Sequence, residues 1–173
     1  MDLPVSREVV AREQLGLGDD AWVQLSTFGE MLLHEGQLAG ATAPIDAETA
    51  DRRHIAESLE VGVLLAQRGL LGDGVRLADV GTGGGLPGVP LSIAFPRVLV
   101  TLIEANGRKT AFLRDVVQRI GLNNVEIVTD RAEVAGRDPA CRERFDVVVS
   151  RAVAELRVLA ELCLPLVADG GTM

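Results

Sequence analysis

The sequence predicts an α/β fold in which helices cover both faces of a mostly parallel β-sheet, with a helical cap at the N-terminus. Short apolar runs alternate with helical stretches from about residue 75 onward. This alternation is typical of parallel sheets, because a helix connects each strand to the next. A glycine-rich segment follows the first apolar run, and the residues before that run show only helical periodicity. We therefore expect a cap over residues 1–70 and a sheet domain over residues 71–173.

The predicted cap consists of three helices. The first covers residues 6–16, and the second begins at Asp19 or Asp20, either of which can cap it. Residues 37–45 contain glycine and proline and predict a loop. Asp46 then caps a third helix, which a group of glycines ends.

The predicted sheet domain has four strands with helices between them. The strands are expected at residues 75–80, 97–103, 125–128 and 145–149, and the helices at residues 86–95, 107–120 and 154–168. The fourth strand is nearly all apolar, so we expect it to be buried on both faces. A fifth strand is expected to begin where the sequence ends, so we predict that the C-terminal strands of the sheet are missing and that the chain is a fragment.

The composition is that of a packed protein. Of the 173 residues, 47% are apolar and 24% are charged, which argues against a disordered chain. Cys141 and Cys163 are not spaced as metal ligands or as a disulfide framework, so we predict no metal site and a reducing compartment. The sequence shows no signal peptide and no apolar run long enough for a bilayer, so we expect a cytoplasmic protein without a membrane partner.

The net charge of −8 argues against a nucleic-acid binder that ignores sequence, because such binding depends on neutralising phosphates. It leaves room for a local basic face. Of the 17 basic residues, all but Lys109 are arginines, and arginine makes the better bidentate contact with phosphate.

The clearest motif is the segment Asp79-Val80-Gly81-Thr82-Gly83-Gly84-Gly85-Leu86-Pro87-Gly88. A glycine loop between a strand and a helix lets a ligand contact the backbone and points the helix N-terminus at that ligand. The next predicted strand is followed by Glu104, whose two carboxylate oxygens can accept hydrogen bonds from a ribose diol. These features predict a nucleoside ligand at the carboxyl edge of the sheet.

The identity of that nucleoside depends on how the glycines are aligned. Gly83-x-Gly85-x-x-Gly88 satisfies the dinucleotide fingerprint, with Glu104 about 20 residues further on, but it opens two residues beyond the strand. Asp79-x-Gly81-x-Gly83 opens at the strand end and resembles the first motif of Rossmann-like methyltransferases. That resemblance implies S-adenosyl-L-methionine, whose amine and sulfonium the nearby acid would attract. An NAD-dependent oxidoreductase stays open as the alternative, whereas a P-loop is excluded because no Gly-Lys-Ser/Thr follows.

The sequence indicates the methyl acceptor less clearly than the cofactor. The fourth strand is followed by Ser150-Arg151-Ala152, and neither an Asp/Asn-Pro-Pro-aromatic motif nor a cysteine nucleophile stands there. No His/Asp pair stands out as a general base. An acceptor that needs no base fits best, and guanine N7, with its free lone pair, is one example among other preformed nucleophiles.

Several segments together resemble one family. The run from Asp79 through Gly88 continues as Val-Pro-Leu-Ser-Ile and resembles the extended glycine motif of the glucose-inhibited division protein B family, the ribosomal RNA guanine-N7 methyltransferases. Further similar segments are Arg53-His54, Lys109 to Leu113, Arg131-Ala132-Glu133 and Phe145 to Val153. The resemblance covers roughly residues 20 to 172.

The resemblance implies a Rossmann-like class I methyltransferase fold and transfer of a methyl group to guanine N7 in small-subunit ribosomal RNA. The partner is expected to be that RNA or the assembling small subunit, and the protein a monomer. A non-enzymatic fragment is kept as a further alternative. Together with the glycine loop, the resemblance predicts S-adenosyl-L-methionine contacts at Asp79, Gly81, Gly83, Leu86, Glu104, Ala132, Glu133 and Arg151.

Three further residues are candidates for positioning the acceptor: Arg53, His54 and Ser150. His54 has an alternative role as a hydrogen-bonded residue between cap and sheet. Arg151 likewise has an alternative role in a structural ion pair.

Overall fold

A computed structural model of the protein describes residues 1–13 and 15–173. Its centre is a five-stranded sheet in which every pairing is parallel and the strand order is β3-β2-β1-β4-β5. The strands are β1 Arg76–Val80, β2 Leu99–Ile103, β3 Val125–Val128, β4 Phe145–Ser150 and β5 Val167–Thr172. The strand order reverses direction between β1 and β4, and open α/β sheets bind ligands at such a point.

Eight α-helices and several shorter helical turns accompany the sheet in the described residues. The α-helices are α1 Pro4–Arg12, α2 Asp19–Met31, α3 Ala47–Thr49, α4 Glu57–Gln67, α5 Gly88–Ala94, α6 Gly107–Ile120, α7 Ala132–Ala135 and α8 Leu156–Cys163. The third predicted helix begins as expected, because the Asp46 side chain accepts a hydrogen bond from the Thr49 amide at 2.8 Å. The α6 helix ends as predicted at Gly121, which adopts a φ of 71°.

The sheet separates two apolar cores. The larger core packs α1, α2, α4, α5 and α6 against one face, and Leu77 of β1 lies within it. The smaller core packs α7, α8 and the turn that follows against the other face, where Ala78 and Val80 point. Successive strand residues point to opposite faces, so β1 contributes to both cores. Because the larger core is shared by the N-terminal helices and the sheet, the position of the α1–α4 layer is fixed by apolar packing.

The C-terminal part of the prediction is wrong in two respects. The predicted helix at residues 154–168 ends at Cys163, and a short 3₁₀ turn at Leu164–Leu166 replaces its last part. Pro165 explains this ending, because proline lacks an amide donor and clashes with the preceding helical turn. The sheet also does not stop at four strands, because Val167–Thr172 pairs in parallel with β4 as a fifth.

Other differences are smaller. The predicted helix at residues 6–16 includes residue 14, which lies outside the described residues, and α1 covers Pro4–Arg12. The helix expected from residue 86 begins at Gly88, and α7 was not predicted. Two π-helical segments, Leu32–Gly36 and Ala50–Ala56, interrupt the predicted N-terminal helices. Within the ranges described, no helix is both long enough and apolar enough to cross a bilayer.

The α4 helix packs closely on α5 at Gly62. A Cβ atom at this position would lie 2.6 Å from Cε2 of Phe95 and 2.8 Å from Cδ2 of Leu91. We expect Gly62→Ala to lower the thermal midpoint. Overpacking costs about 1–3 kcal/mol, which outweighs the gain of about 1 kcal/mol from helix propensity. In Gly107→Ala the new Cβ would meet no atom within 4 Å. Calorimetry of both variants checks the prediction, and a Gly62→Ala protein at least as stable as the wild type contradicts it.

Candidate functional site

The carboxyl ends of β1, β2 and β4 meet at the point where the strand order reverses. The glycine loop begins directly after β1 and ends at the first residue of α5. Its backbone requires glycine at three positions, because Gly81, Gly83 and Gly85 have φ values of 67°, 59° and 90°. The loop therefore presents its backbone at the carboxyl edge of the sheet, where the motif predicts a ligand.

Asp79 lies beneath this loop and is fully buried. Its Oδ2 atom accepts hydrogen bonds from Oγ1 of Thr82 at 2.6 Å and from the amide of Gly88 at 2.8 Å. One carboxylate oxygen thus joins the start of the loop to the first turn of α5. A Cβ atom at Gly88 would lie 2.8 Å from the same oxygen, so only glycine leaves room for this contact.

The second oxygen of Asp79, Oδ1, has no hydrogen-bond partner among the described residues. Burial raises the pKa of the carboxyl group to about 6, and the hydrogen bonds from Thr82 and Gly88 oppose part of that rise. A buried acceptor without a partner is costly. A cationic group beside this carboxylate would stabilise the ionised form.

Glu104 follows β2 and contacts the glycine loop from the side. Its Oε2 atom accepts a hydrogen bond from the Gly83 amide at 3.0 Å, and its Oε1 atom accepts one from the Asn106 amide at 2.8 Å. The half-buried carboxylate is therefore held between the loop and the start of α6. It lies next to the backbone that the ligand is expected to contact, as the spacing predicts.

A cavity of about 570 Å³ opens above the loop. Its walls come from the glycine loop, from the residue 41–45 loop, from the helical run that starts at Ala47, and from the residues after β4. The lining residues relevant to the predicted site are Gly81, Gly83, Leu86, Arg53, His54, Lys109 and Arg151. The structure thus brings predicted ligand-binding and acceptor-positioning residues to one cavity.

Arg151 joins the sheet to the N-terminal helices at this cavity. Its Nη1 atom donates to the backbone oxygen of Arg53 at 2.9 Å and lies 3.4 Å from Oε2 of Glu57. Its Nη2 atom lies 3.3 Å from Nδ1 of His54. Both alternative roles from the sequence therefore hold geometrically, since Arg151 forms an ion pair and His54 lies between cap and sheet.

The same contacts determine the protonation of His54. Burial, followed by the positive charge of Arg151, lowers the pKa of the His54 imidazole. The neutral imidazole is therefore favoured beside the guanidinium near neutral pH. The residue after Arg151, Ala152, has a φ of 56°. This left-handed conformation costs a non-glycine residue roughly 1–2 kcal/mol, and it shapes the rim on which Arg151 lies.

Five predicted residues lie outside the cavity wall. Two of them, Asp79 beneath the glycine loop and Glu104 beside it, contact the loop but do not line the cavity. The Oγ atom of Ser150 donates to the backbone oxygen of Val80 at 2.8 Å, so this hydroxyl ties β4 to β1. Ala132 and Glu133 begin α7, which follows β3 on the same sheet edge. Glu133 is exposed, and its Oε1 atom lies 3.6 Å from Nη2 of Arg131.

Sequence reasoning missed some residues that line the cavity. Lys109 belongs to a family-like segment, but no role was predicted for it. Glu57 and Thr42 gave no signal, because a single acidic or hydroxyl residue in a helix or loop is ordinary on a protein surface.

Solved structures share this fold. A mutant of MtNAS in complex with S-adenosylmethionine matches 83% of this chain and 55% of its own, with a TM-score of 0.54 and 20% identity. Coclaurine N-methyltransferase bound to N-methylheliamine and SAH matches 96% of this chain and 56% of its own, with a TM-score of 0.55 and 14% identity. The similarity shows the Rossmann-like methyltransferase fold that the sequence predicts.

Curated proteins are similar in sequence as well. The ribosomal RNA small subunit methyltransferase G of Alkaliphilus metalliredigens is 37% identical over 161 residues, which are 92% of this chain and 66% of that protein. The protein of the same name from Rubrobacter xylanophilus is 41% identical over 169 residues, 93% of this chain and 63% of its own. The chain thus spans slightly less than two thirds of the length of these relatives. The family profile described as rRNA small subunit methyltransferase G, GidB, matches residues 22–173, and the chain belongs to this family.

Proposed function

We propose that this protein transfers a methyl group from S-adenosyl-L-methionine to N7 of a guanine in small-subunit ribosomal RNA. The observation that carries the proposal is the shared cavity. In a chain of this family, the glycine loop and the Arg53-His54 pair line the same space. A methyl donor on the loop would then lie next to an acceptor held by the N-terminal helices. The proposal includes a cytoplasmic location and a monomeric protein.

The residues around the loop fit the proposed cofactor. The unpartnered oxygen of Asp79 is buried beneath the loop, where its negative charge would attract a cationic amine held on the loop, and the carboxylate of Glu104 suits the ribose hydroxyls. Gly81, Gly83 and Leu86 would contact the cofactor along the cavity wall. Bound S-adenosyl-L-methionine would supply a methyl group on a sulfonium, open to attack by a lone pair. We propose two further contacts with the cofactor at the start of α7, from Ala132 and Glu133.

The loop geometry favours this cofactor over a dinucleotide. The first glycine, Gly81, follows the last residue of β1 directly, so the loop begins in the methyltransferase register. In this register the third position of the dinucleotide fingerprint is Leu86, which is buried. Neither the dinucleotide oxidoreductase nor the non-enzymatic alternative finds support among the similar proteins.

The acceptor side requires positioning more than acid–base chemistry. Guanine N7 has no proton to lose, so a neutral His54 can act as a hydrogen-bonding partner without serving as a base. Arg151 holds His54 through Nδ1 and would approach the cofactor from the β4 side. Arg53 and His54 would orient the acceptor base, and Ser150 would act indirectly by fixing the end of β4 to β1. Correct orientation alone can supply a large part of the rate enhancement.

Methyl transfer is tested directly with the whole chain. The protein is incubated with methyl-labelled S-adenosyl-L-methionine and either naked small-subunit RNA or a partly assembled small subunit. We expect label in 7-methylguanosine after nuclease digestion. The Gly83→Asp variant places a carboxylate on the loop and is expected to give no label. Label confined to protein or to small molecules would overturn the proposal.

The free oxygen of Asp79 makes cofactor affinity depend on pH. The folded-state pKa of about 6 lies above the ordinary value of 3.8. The carboxylate that attracts a cation therefore forms only as the pH rises through 6. We expect the dissociation constant of S-adenosyl-L-methionine, measured by calorimetry, to fall between about pH 5 and pH 7.5 and then to level off.

Asp79→Asn is the matched variant for this dependence. The amide oxygen can keep the contacts with Thr82 and Gly88 but carries no charge. We expect at least about tenfold weaker binding at pH 7.5, since a hydrogen bond to a charged group contributes about 1.5–3 kcal/mol, and a flat pH profile. The free variant is expected to melt no lower than wild type, because it removes a buried charge. A profile as steep as that of the wild type contradicts this role for Asp79.

Lys109 offers a test of RNA binding. Lys109 lines the cavity and forms no ion pair shorter than 4.0 Å in the described part of the chain. We expect Lys109→Met to weaken binding of small-subunit RNA. The plot of log affinity against log salt concentration is expected to become less steep by about 1, the change that corresponds to the loss of one phosphate contact. The control is Arg97→Met, which removes an exposed charge just before β2, at the opposite edge of the sheet. If the salt dependence of RNA binding becomes weaker by the same amount in Lys109→Met and in Arg97→Met, a local contact at Lys109 is excluded.

A further inference from the structure

The N-terminus of α1 has no capping side chain of its own. The preceding residue is Leu3, and its side chain makes no cap hydrogen bond. Pro4 removes one of the amides that need a partner, but those of Val5 and Ser6 remain. An α-helix that begins in a buried environment needs acceptors for these amides.

Asp51 supplies these acceptors from 45 residues away. Its carboxylate accepts hydrogen bonds from the amide of Val5 at 2.8 Å, the amide of Ser6 at 3.0 Å and the Ser6 hydroxyl at 2.5 Å. Both side chains are buried, with 2% of Asp51 and none of Ser6 exposed. A carboxylate at a helix N-terminus is favourable because it faces the positive end of the helix dipole. We refer to this contact as the Ser6–Asp51 clamp.

The clamp holds the segment that carries the proposed acceptor residues. Asp51, Arg53 and His54 all belong to the π-helical segment Ala50–Ala56. In an α-helix, residues three apart share a face, so Asp51 and His54 would point in similar directions. The wider π-helical turn separates them. Asp51 can then point into the contact with α1 while His54 points into the cavity.

The other side of the same segment is held by donors to its carbonyl groups. Arg151, which follows β4, donates to the backbone oxygen of Arg53 at 2.9 Å. The Ser58 hydroxyl, four residues further along the same helical run, donates to that of His54 at 2.5 Å. The segment is thus fixed between α1 on one side and the carboxyl edge of the sheet on the other. Of these attachments, the Ser6–Asp51 clamp alone reaches α1, which lies outside the stretch matched by the family profile.

We propose that the Ser6–Asp51 clamp is a positioning device that uses α1 to set where Arg53 and His54 lie in the cavity. Ser6 and Asp51 touch neither the loop nor the cavity, so they act through the π-helical segment. The part of this inference that concerns the acceptor rests on the proposed function, whereas the placement of His54 does not. The N-terminal helix thereby becomes part of the machinery that orients the acceptor, although it contributes no residue to the cavity wall.

The protein's two histidines, His34 and His54, allow a direct test. Ser6→Ala removes one donor, and Asp51→Asn removes the charge of the acceptor. If the clamp holds His54 half-buried beside Arg151, with Glu57 and Arg53 as its other charged neighbours, loosening it exposes the imidazole. We expect NMR titration to show the His54 pKa rising toward its ordinary value in both variants.

Kinetics separates positioning from stability. We expect the KM for RNA to rise by about tenfold in Asp51→Asn, because a small displacement of an orienting group has a large effect. Cofactor affinity is expected to stay within about twofold of wild type, since the loop is held by Asp79 on β1. The control is Ser92→Ala, which removes another buried hydroxyl, one that donates to Val89 within α5. This control is expected to leave both the His54 pKa and the KM unchanged.

The outcomes distinguish the two proposals. Unchanged His54 titration in Ser6→Ala and Asp51→Asn overturns the clamp, even if the protein methylates RNA. The same shift in Ser92→Ala also overturns it, because the effect is then a general loosening. If Asp51→Asn does not fold, the milder Ser6→Ala decides. A shift of His54 alone, in a protein that labels no RNA, supports the clamp and refutes the proposed function.

Discussion

The contact of Asp79 with Thr82 and Gly88 is the constraint on which the rest of the site depends. Three glycines with positive φ give the loop many accessible conformations, and the contact selects one of them. Through Gly88 it also fixes the first turn of α5 relative to β1. Burying a carboxyl group with one free oxygen is unfavourable, as its raised pKa records. The loop is therefore held in place by a carboxyl group that is itself only partly hydrogen-bonded, and a cationic ligand would offset that cost.

Arg151 shows why a structural role and a functional role need not be alternatives. Its ion pair with Glu57 is partly exposed and by itself contributes little to stability. Its hydrogen bond to the Arg53 carbonyl matters more for geometry, because it joins the end of β4 to the helical segment across the cavity. Burial lowers the pKa of His54, and the charge of the same guanidinium lowers it further. A single side chain thus bridges two walls of the cavity and contributes to the protonation state of His54.

The sequence predicted the centre of the sheet well and its surroundings less well. The strands that became β1 to β4 are short, mostly apolar segments next to glycine or charged residues, and their predicted bounds agree with the structure within about two residues. The β5 strand was missed because Gly170 and Gly171 weaken the strand pattern, and because its pairing depends on the edge that β4 offers. The π-helical segments were missed because their residue pattern is also that of an α-helix. Of the residues predicted from the loop motif, Gly81, Gly83 and Leu86 line the cavity and Asp79 does not, whereas Glu57 and Lys109 line it although the sequence predicted no role for them.

Among the described residues, the two carboxyl groups with almost no exposed surface differ in their hydrogen bonds. Asp51 and Asp79 are 2% and 0% exposed, so exposure assigns them the same role. The hydrogen bonds of the two carboxylates differ, however. Asp51 accepts three donors from α1, and both of its oxygens are used. Asp79 accepts two donors on one oxygen, and the other has no partner in the described part of the chain. A buried carboxylate with both oxygens hydrogen-bonded holds two elements of the fold together. A buried carboxylate with one unpartnered oxygen still has an acceptor with which a ligand can interact. This difference in hydrogen bonding is the reason that we propose a positioning role for Asp51 and a ligand-attracting role for Asp79.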